Sequence, residues 1–514
     1  MFLSAVITAI RQSGKLQVRL LEARRQGNPE VLLIDDSYGD ARLHWCRRIY
    51  PRYLIWIGKF VLLMVLAGCS ILPTSSNTPA VEITPLTLSP RATNSPVPAV
   101  SNVDWTTYHR DNIRTGYLAN GPDPQSLTRA WSTRLDGAVY AEPLVVSGRL
   151  LVATEGDSLY SLDARTGQVQ WHTNVGSPVP GSQLPCGNID PLGITGTPVY
   201  DPGTGLVFAV AEISGPAHLL VGLDINTGQV RVRRLVDPAG MVPVAHQQRA
   251  ALALSSGMVY IAYGGLYGDC GNYHGWVVAS RTDGQGSLVT YQVPTTREGG
   301  IWASPGPVVD TAGHLYVSVG NGEATSGGWD HSDSVLRLSP TLQLEDGFAP
   351  QQWQQDNSGD ADLGSMGPVL LPGGLVYANG KSGLGYLLHA DNLGGVGGQA
   401  LVQQVCTPYG GAALVGSVML IPCSDGLQQV QVGPGIRLTL GWKAPEHVTG
   451  SPVVGGHTVY CLDPGGKLYA LDIESGQVRA TVPVDATSHF ATPTLYGGRV
   501  FVGTLTGVVA VDGS

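Results

Sequence analysis

The stretch SLYSLDARTGQVQW at 158–171 returns as LLVGLDINTGQVRV at 219–232 and as KLYALDIESGQVRA at 467–480. Each copy alternates apolar residues through one strand, turns at Asp-x-x-Thr/Ser-Gly, and leaves in a second strand. Asp163, Asp224 and Asp472 can accept bonds from the backbone that follows them. Gly167, Gly228 and Gly476 can take the positive φ of a bulged hairpin. A simpler strand pair occurs at PLVVSGRLLVAT (143–154), PVVGGHTVYCL (452–462) and PTLYGGRVFVGT (493–504). The two phrases make a unit of four strands, A to D. A repeat of this kind sets the architecture as an array of small antiparallel sheets.

Composition agrees. Of 514 residues, 69 are Gly and only 13% are charged, and few segments carry a helical period, which predicts an all-β chain rich in turns. Units start near Ala141, Gly196, Ala250, Ser304, Gly367, Gly411, Ser451 and Ala491. The last lacks its outer strand, and LTRAWSTRL at 127–135 is left to supply it. Pairing that N-terminal strand with three C-terminal ones closes the ring and leaves no open edge. The expected fold is an eight-bladed β-propeller of four-stranded antiparallel blades.

Strand order sorts the connections. The D-to-A and B-to-C loops open on one face, the A-to-B and C-to-D turns on the other. Long insertions are read at 176–195, 212–218, 237–249, 264–275, 294–303, 321–333 and 347–366, all on the first face. Loops of that kind carry function more often than the turns opposite.

Three segments are expected: a basic extension with an export signal at 1–69, a tether at 70–103, and the propeller at 104–514. Residues 1–69 carry a net charge of +5 and the remainder −14, and the acidic balance argues against nucleic acid as partner. The apolar run LIWIGKFVLLMVLAGCS at 54–70 follows Arg47, Arg48 and Arg52 and reads as an export signal. It is short for a membrane span of about 20 residues. Its Leu-Ala-Gly-Cys end resembles a bacterial lipobox, which implies lipid on Cys69; an uncleaved anchor is the alternative. The Pro-, Ser- and Thr-rich residues that follow suit a semi-extended tether. Cys186 and Cys270, both in long polar loops, are the expected disulfide, although sequence alone does not fix connectivity.

The phrases ending in Thr/Ser-Gly-Gln resemble the repeats of the pyrroloquinoline quinone (PQQ) dehydrogenases, eight-bladed propellers holding the quinone and Ca²⁺ in an axial funnel. The family's outer-strand Trp survives in these copies only at Trp171. LYVSVGNG at 315–322 resembles the loop that places an Asn on Ca²⁺, here Asn321. EGGIWAS at 298–304 is similar to the segment whose Trp lies beneath the quinone, here Trp302. GDADLGSMGPVLL at 359–371 resembles the segment carrying the base, here Asp362, and ANGKSGLGYLLHADN at 378–392 the loop whose basic side chain meets the quinone, here Lys381. Glu212 stands near the acidic Ca²⁺ ligand's place. The adjacent cysteines of the family are missing.

Two functions follow from the resemblance. One is a lipid-anchored extracytoplasmic PQQ- and Ca²⁺-dependent oxidoreductase acting on an alcohol or sugar, with an external electron acceptor. The other is a non-catalytic propeller lipoprotein that binds a protein partner in the cell envelope.

Overall fold

The Asp-x-x-Thr/Ser-Gly turns form as their chemistry requires. Asp163 Oδ1 accepts the N–H groups of Arg165 and Thr166 at 3.0 and 2.8 Å, and Gly167 takes φ 74°. Asp224 and Asp472 repeat the arrangement with Gly228 and Gly476. The C and D strands flanking each turn carry a register shift, at Ser161/Leu162, Gly222/Leu223 and Ala470/Leu471.

The computed structural model describes the strands Val6–Gln12, Lys15–Leu21 and Leu32–Leu33 and the continuous stretch 102–514. The three N-terminal strands pair into a sheet of their own, in a unit separate from the propeller. The expected export signal, Cys69 and most of the expected tether lie outside the described residues.

From 127 onward the chain builds an eight-bladed β-propeller of antiparallel sheets. The A strands begin at Leu144, Val199, Ala253, Val308, Val369, Ala413, Val453 and Thr494, a few residues after the starts read from sequence. Leu127–Arg134 pairs with Gly507–Gly513 and completes the last blade. Apolar residues of neighbouring blades fill the seams, as where Val207, Ala209 and Ala211 of blade 2 meet Leu151, Ala153 and Leu159 of blade 1. The supposed insertion 212–218 is instead a tight hairpin, with strands paired up to Ile213 and Ala217. The loop 347–366 contains a short helix, Trp353–Ser358.

Tryptophans lock some blades together. Trp171, on the outer strand of blade 1, lies on Gly228 in the turn of blade 2, where a Cβ would come 2.6 Å from the indole, and its Nε1–H donates to Ile225 O at 2.9 Å. Trp131 and Trp442 lie in the same way on Gly167 and Gly476 of the next blades, and Trp442 Nε1–H donates to Ile473 O at 2.9 Å. The signature Trp is thus kept at three seams rather than one.

One feature was not legible beforehand. Residues 105–118 cross the axis at the turn-rich face and bond the innermost strands of six blades. Trp105 exchanges hydrogen bonds with Val145, and Thr106, Asn112, Thr115 and Gly116 carbonyls accept from Tyr200, Val309, Leu414 and Val454 at 2.7–2.9 Å. Asn112 Nδ2–H and Arg114 reach Leu254 O and Leu252 O of blade 3. This segment plugs the ring from below.

Candidate functional site

Four of the five candidate residues meet on the loop-rich face between blades 3, 4 and 5. The loop 294–303 is tied to the ends of the neighbouring B strands by Ile301 N–H to Tyr263 O and Gly320 N–H to Gly300 O. That pins Trp302 beside the start of the next B-to-C loop. Asn321 N–H donates to Asp362 Oδ1 at 2.7 Å, and Lys381 N–H to Asp362 O at 2.9 Å. Gly320 lets the pieces close: a Cβ there would lie 3.0 Å from Trp302 Nε1 and closer still to Asp362 Oδ1.

The electrostatics are those of buried pairs. Lys381 Nζ lies 2.5 Å from Asp362 Oδ2, 2.7 Å from Asp360 Oδ1 and 5.8 Å from the centre of the Trp302 ring. Burial pushes the Asp362 carboxyl up, while the Lys381 ammonium and Asn321 N–H pull it back. Burial works against the Lys381 charge, but Asp362 and Asp360 outweigh it and hold the ammonium firmly protonated. Buried Asp333 lies beneath, accepting from Leu363 N–H at 3.0 Å, and burial followed by repulsion from Asp362 raises it strongly.

Other residues complete the site. Glu298 faces Asn321 Nδ2 at 3.5 Å and pairs with Arg297 at 2.8 Å. It opens the stretch EGGIWAS, where it could have been noticed. Phe490 packs edge-to-face against Trp302 at 6.3 Å and beneath Arg249 at 5.1 Å. Phe490 and Arg249 come from blades far apart in sequence and left no local signal.

Glu212 does not join the four. Its Oε1 accepts Gln248 N–H at 2.7 Å, and its Oε2 lies 3.7 Å from His218, which in turn meets Asp237 at 2.6 Å. Burial raises its pKa to about 7. Glu155 holds the same place in blade 1: it accepts Gly193 N–H and Thr195 Oγ1–H, and burial pushes it up to about 8. In both blades a carboxyl at the end of strand B clamps the next D-to-A loop. The place near the Ca²⁺ ligand is therefore a recurring clamp.

The disulfide Cys186–Cys270 forms as expected and ties loop 176–195 to loop 264–275 across blade 2. A second, Cys406–Cys423, was not foreseen, and Cys461 is free and buried.

The donor set does not fit calcium. Ca²⁺ takes roughly six to eight oxygens. Here Asp362 and Glu298 are each already neutralised by a cation, Lys381 and Arg297, and no group of three His, Cys, Asp or Glu could hold a metal among the described residues. Nor does the Trp302 ring offer itself as a bare floor, since Phe490 and Lys381 pack against it.

Ring and repeat together make an eight-bladed β-propeller that is similar to the PQQ-like repeat propellers. Residues 123–264 and 438–513 match the family described as outer membrane protein assembly factor BamB. The quartet lies between those two matched stretches. No curated protein sequence matches the chain. Among solved structures, a europium-containing methanol dehydrogenase superposes with TM-score 0.63 at 14% identity, over 80% of this chain and 98% of that one. Quinohemoprotein alcohol dehydrogenase from Comamonas testosteroni gives 0.61 at 16%, over 80% and 81%. BamB from Moraxella catarrhalis gives 0.53 at 16%, over 75% and 99%. At these identities the likeness is one of fold.

Proposed function

We propose that the chain is an extracytoplasmic, lipid-anchored propeller that binds a protein partner in the cell envelope through its loop-rich face. The observation that carries this reading is the internal charge pairing of the site: Lys381 with Asp362, and Arg297 with Glu298 beside them, supply the charge balance that a metal and a quinone would otherwise supply. Two disulfides suit an exported chain. The family match points the same way. No helix among the described residues is long and apolar enough to cross a membrane, and the attachment proposed is lipid on Cys69. The disulfide-tied loop 264–275 presents Tyr267, 66% exposed, the kind of aromatic that protein interfaces favour.

A second reading is a PQQ- and Ca²⁺-dependent oxidoreductase of an alcohol or sugar. The convergence of Trp302, Asn321, Asp362 and Lys381 favours it. Titrating the protein with PQQ, with and without Ca²⁺, while following tryptophan fluorescence separates the two. Partner binding predicts no saturable change at micromolar quinone. Saturable quenching accompanied by dye-linked alcohol or sugar oxidation would replace the first reading with the second. A photo-crosslinker in place of Tyr267 should give one discrete adduct in intact envelopes, and its absence would count against this face.

A further inference from the structure

Above the plug, the axis holds a cavity of about 20 Å³ whose interior has no role in either reading. Tyr108, Glu142, Ser304, Ser488, Arg249 and Phe490 are among the residues that line it. Space of this size holds about one particle the size of a water molecule.

Its donors lack acceptors. Ser304 Oγ and Ser488 Oγ are buried without a hydrogen-bond partner, their residues 9% and 7% exposed. Arg249 makes one bond, from Nη2 to Gln247 Oε1 at 3.2 Å, and lies over the Phe490 ring. Among the described residues no carboxylate forms an ion pair with it. The acids acting on it from further off are Glu155 and Glu212. Each is already bonded, to Gly193 and Thr195 or to Gln248, and burial holds both toward the neutral form. Glu142 is also engaged: its oxygens accept Trp105 Nε1–H and His109 N–H from the plug at 2.8 Å. Arg249 is thus a half-buried cation without a counter-ion among the described residues, and it lines the same cavity as two unpartnered hydroxyls. A water would serve the hydroxyls but leave the guanidinium charge unbalanced in a poorly solvated funnel.

We propose that this cavity binds one small inorganic anion of halide size, chloride in the cell, held by Arg249, Ser304 and Ser488. The cavity adjoins the rim site and shares Phe490 with it, the ring that packs against Trp302. An anion there would fix Arg249 and, through it, Phe490 at the mouth of the funnel.

Thermal melts of the purified full chain test this in sodium chloride and bromide against gluconate at constant ionic strength. A ligand that binds only the folded state raises Tm saturably. The expected result is a halide-specific, saturable rise in the wild type that is lost in the double variant Ser304→Ala/Ser488→Ala, which keeps Arg249 and its packing. Arg249→Gln should abolish the rise as well; if that variant fails to fold, the serine pair still decides. Crystals soaked in bromide should show an anomalous peak in the cavity. No halide-specific rise, a rise unchanged in the serine variant, or cavity density without bromide signal would overturn the assignment. So would a bromide peak with no effect in solution, which marks an adventitious ion only.

Discussion

Asp362 is 3% exposed, and its side chain meets Lys381 Nζ, Asn321 N–H and little else. Removing the ammonium would strand a buried carboxylate. Lys381→Met should therefore destabilise the fold by about 3 kcal/mol, measured by urea denaturation. The double variant Lys381→Met/Asp362→Asn should recover much of that loss; equal losses in single and double variants would mean that the pair is not coupled. Glu155 makes a different prediction, in pH. Its folded pKa, about 8, lies above the usual carboxyl value of 4.5 because burial disfavours the charge. The folded state then binds the proton more tightly than the unfolded one. That contribution is fully present below about pH 4.5 and is lost as pH rises through about 8. Glu155→Gln keeps an acceptor for Gly193 and Thr195, so it should flatten the decline of Tm between pH 5 and 8; an unchanged slope would exonerate Glu155. At this scale legibility followed local strings. Trp302, Asn321, Asp362 and Lys381 each sit in a recognisable loop and do converge. Arg249 and Phe490 reach the axis from blades 2 and 7, and no string joins them. Glu212 misled because a carboxyl at the end of strand B is a loop clamp, as Glu155 repeats.

The seam between blades is the element that the repeated phrase encodes only in part. Gly228 at φ 70° sits beneath Trp171, and a Cβ would lie 2.6 Å from the ring. Gly228→Ala must move the indole or abandon the turn, so a loss of about 2–3 kcal/mol is expected in thermal or urea melts. Trp171→Ala should cost about as much by emptying the seam. If either change costs under half a kilocalorie, the tryptophan does not lock the blades. The phrase announced the glycine half of this contact in every copy. The tryptophan half belongs to the preceding blade, so Trp131 and Trp442 were invisible to a search within copies. The second disulfide escaped notice for a similar reason. Cys186 and Cys270 stood out by their loops, whereas Cys406 and Cys423 pair because an isolated bridge, Pro408 to Cys423, brings that loop alongside strand B.

Over the whole molecule, the ring closes twice. Leu127–Arg134 closes it at the rim by completing blade 8, and 105–118 closes it at the axis. The first closure was legible because an unpaired strand was left over at each end of the count. The second was not, since a plug has no period: its bonds go to strand edges in six blades, and its sequence need only offer carbonyls at suitable spacing. Arg114 is the point where the two closures can be separated by experiment. It is 4% exposed, and its guanidinium donates to Thr107 Oγ1 at 2.6 Å within the plug, to Leu252 O at 3.0 Å on blade 3, and to Pro307 O at 3.2 Å on blade 4. Arg114→Met keeps the stem but leaves two buried carbonyls short of a donor. A cost of about 2–4 kcal/mol follows. If the plug behaves as one cooperative unit, the loss will not stay local. The amides of Tyr200, Val309, Leu414 and Val454 all donate to plug carbonyls, on blades 2, 4, 6 and 7. Native-state hydrogen exchange should then show these four losing protection together in Arg114→Met, while rim amides of blade 8 such as Val509 keep theirs. Loss confined to Val309, beside the substituted residue, would mean that the ring is held by its rim strand alone and that the plug only fills the axis.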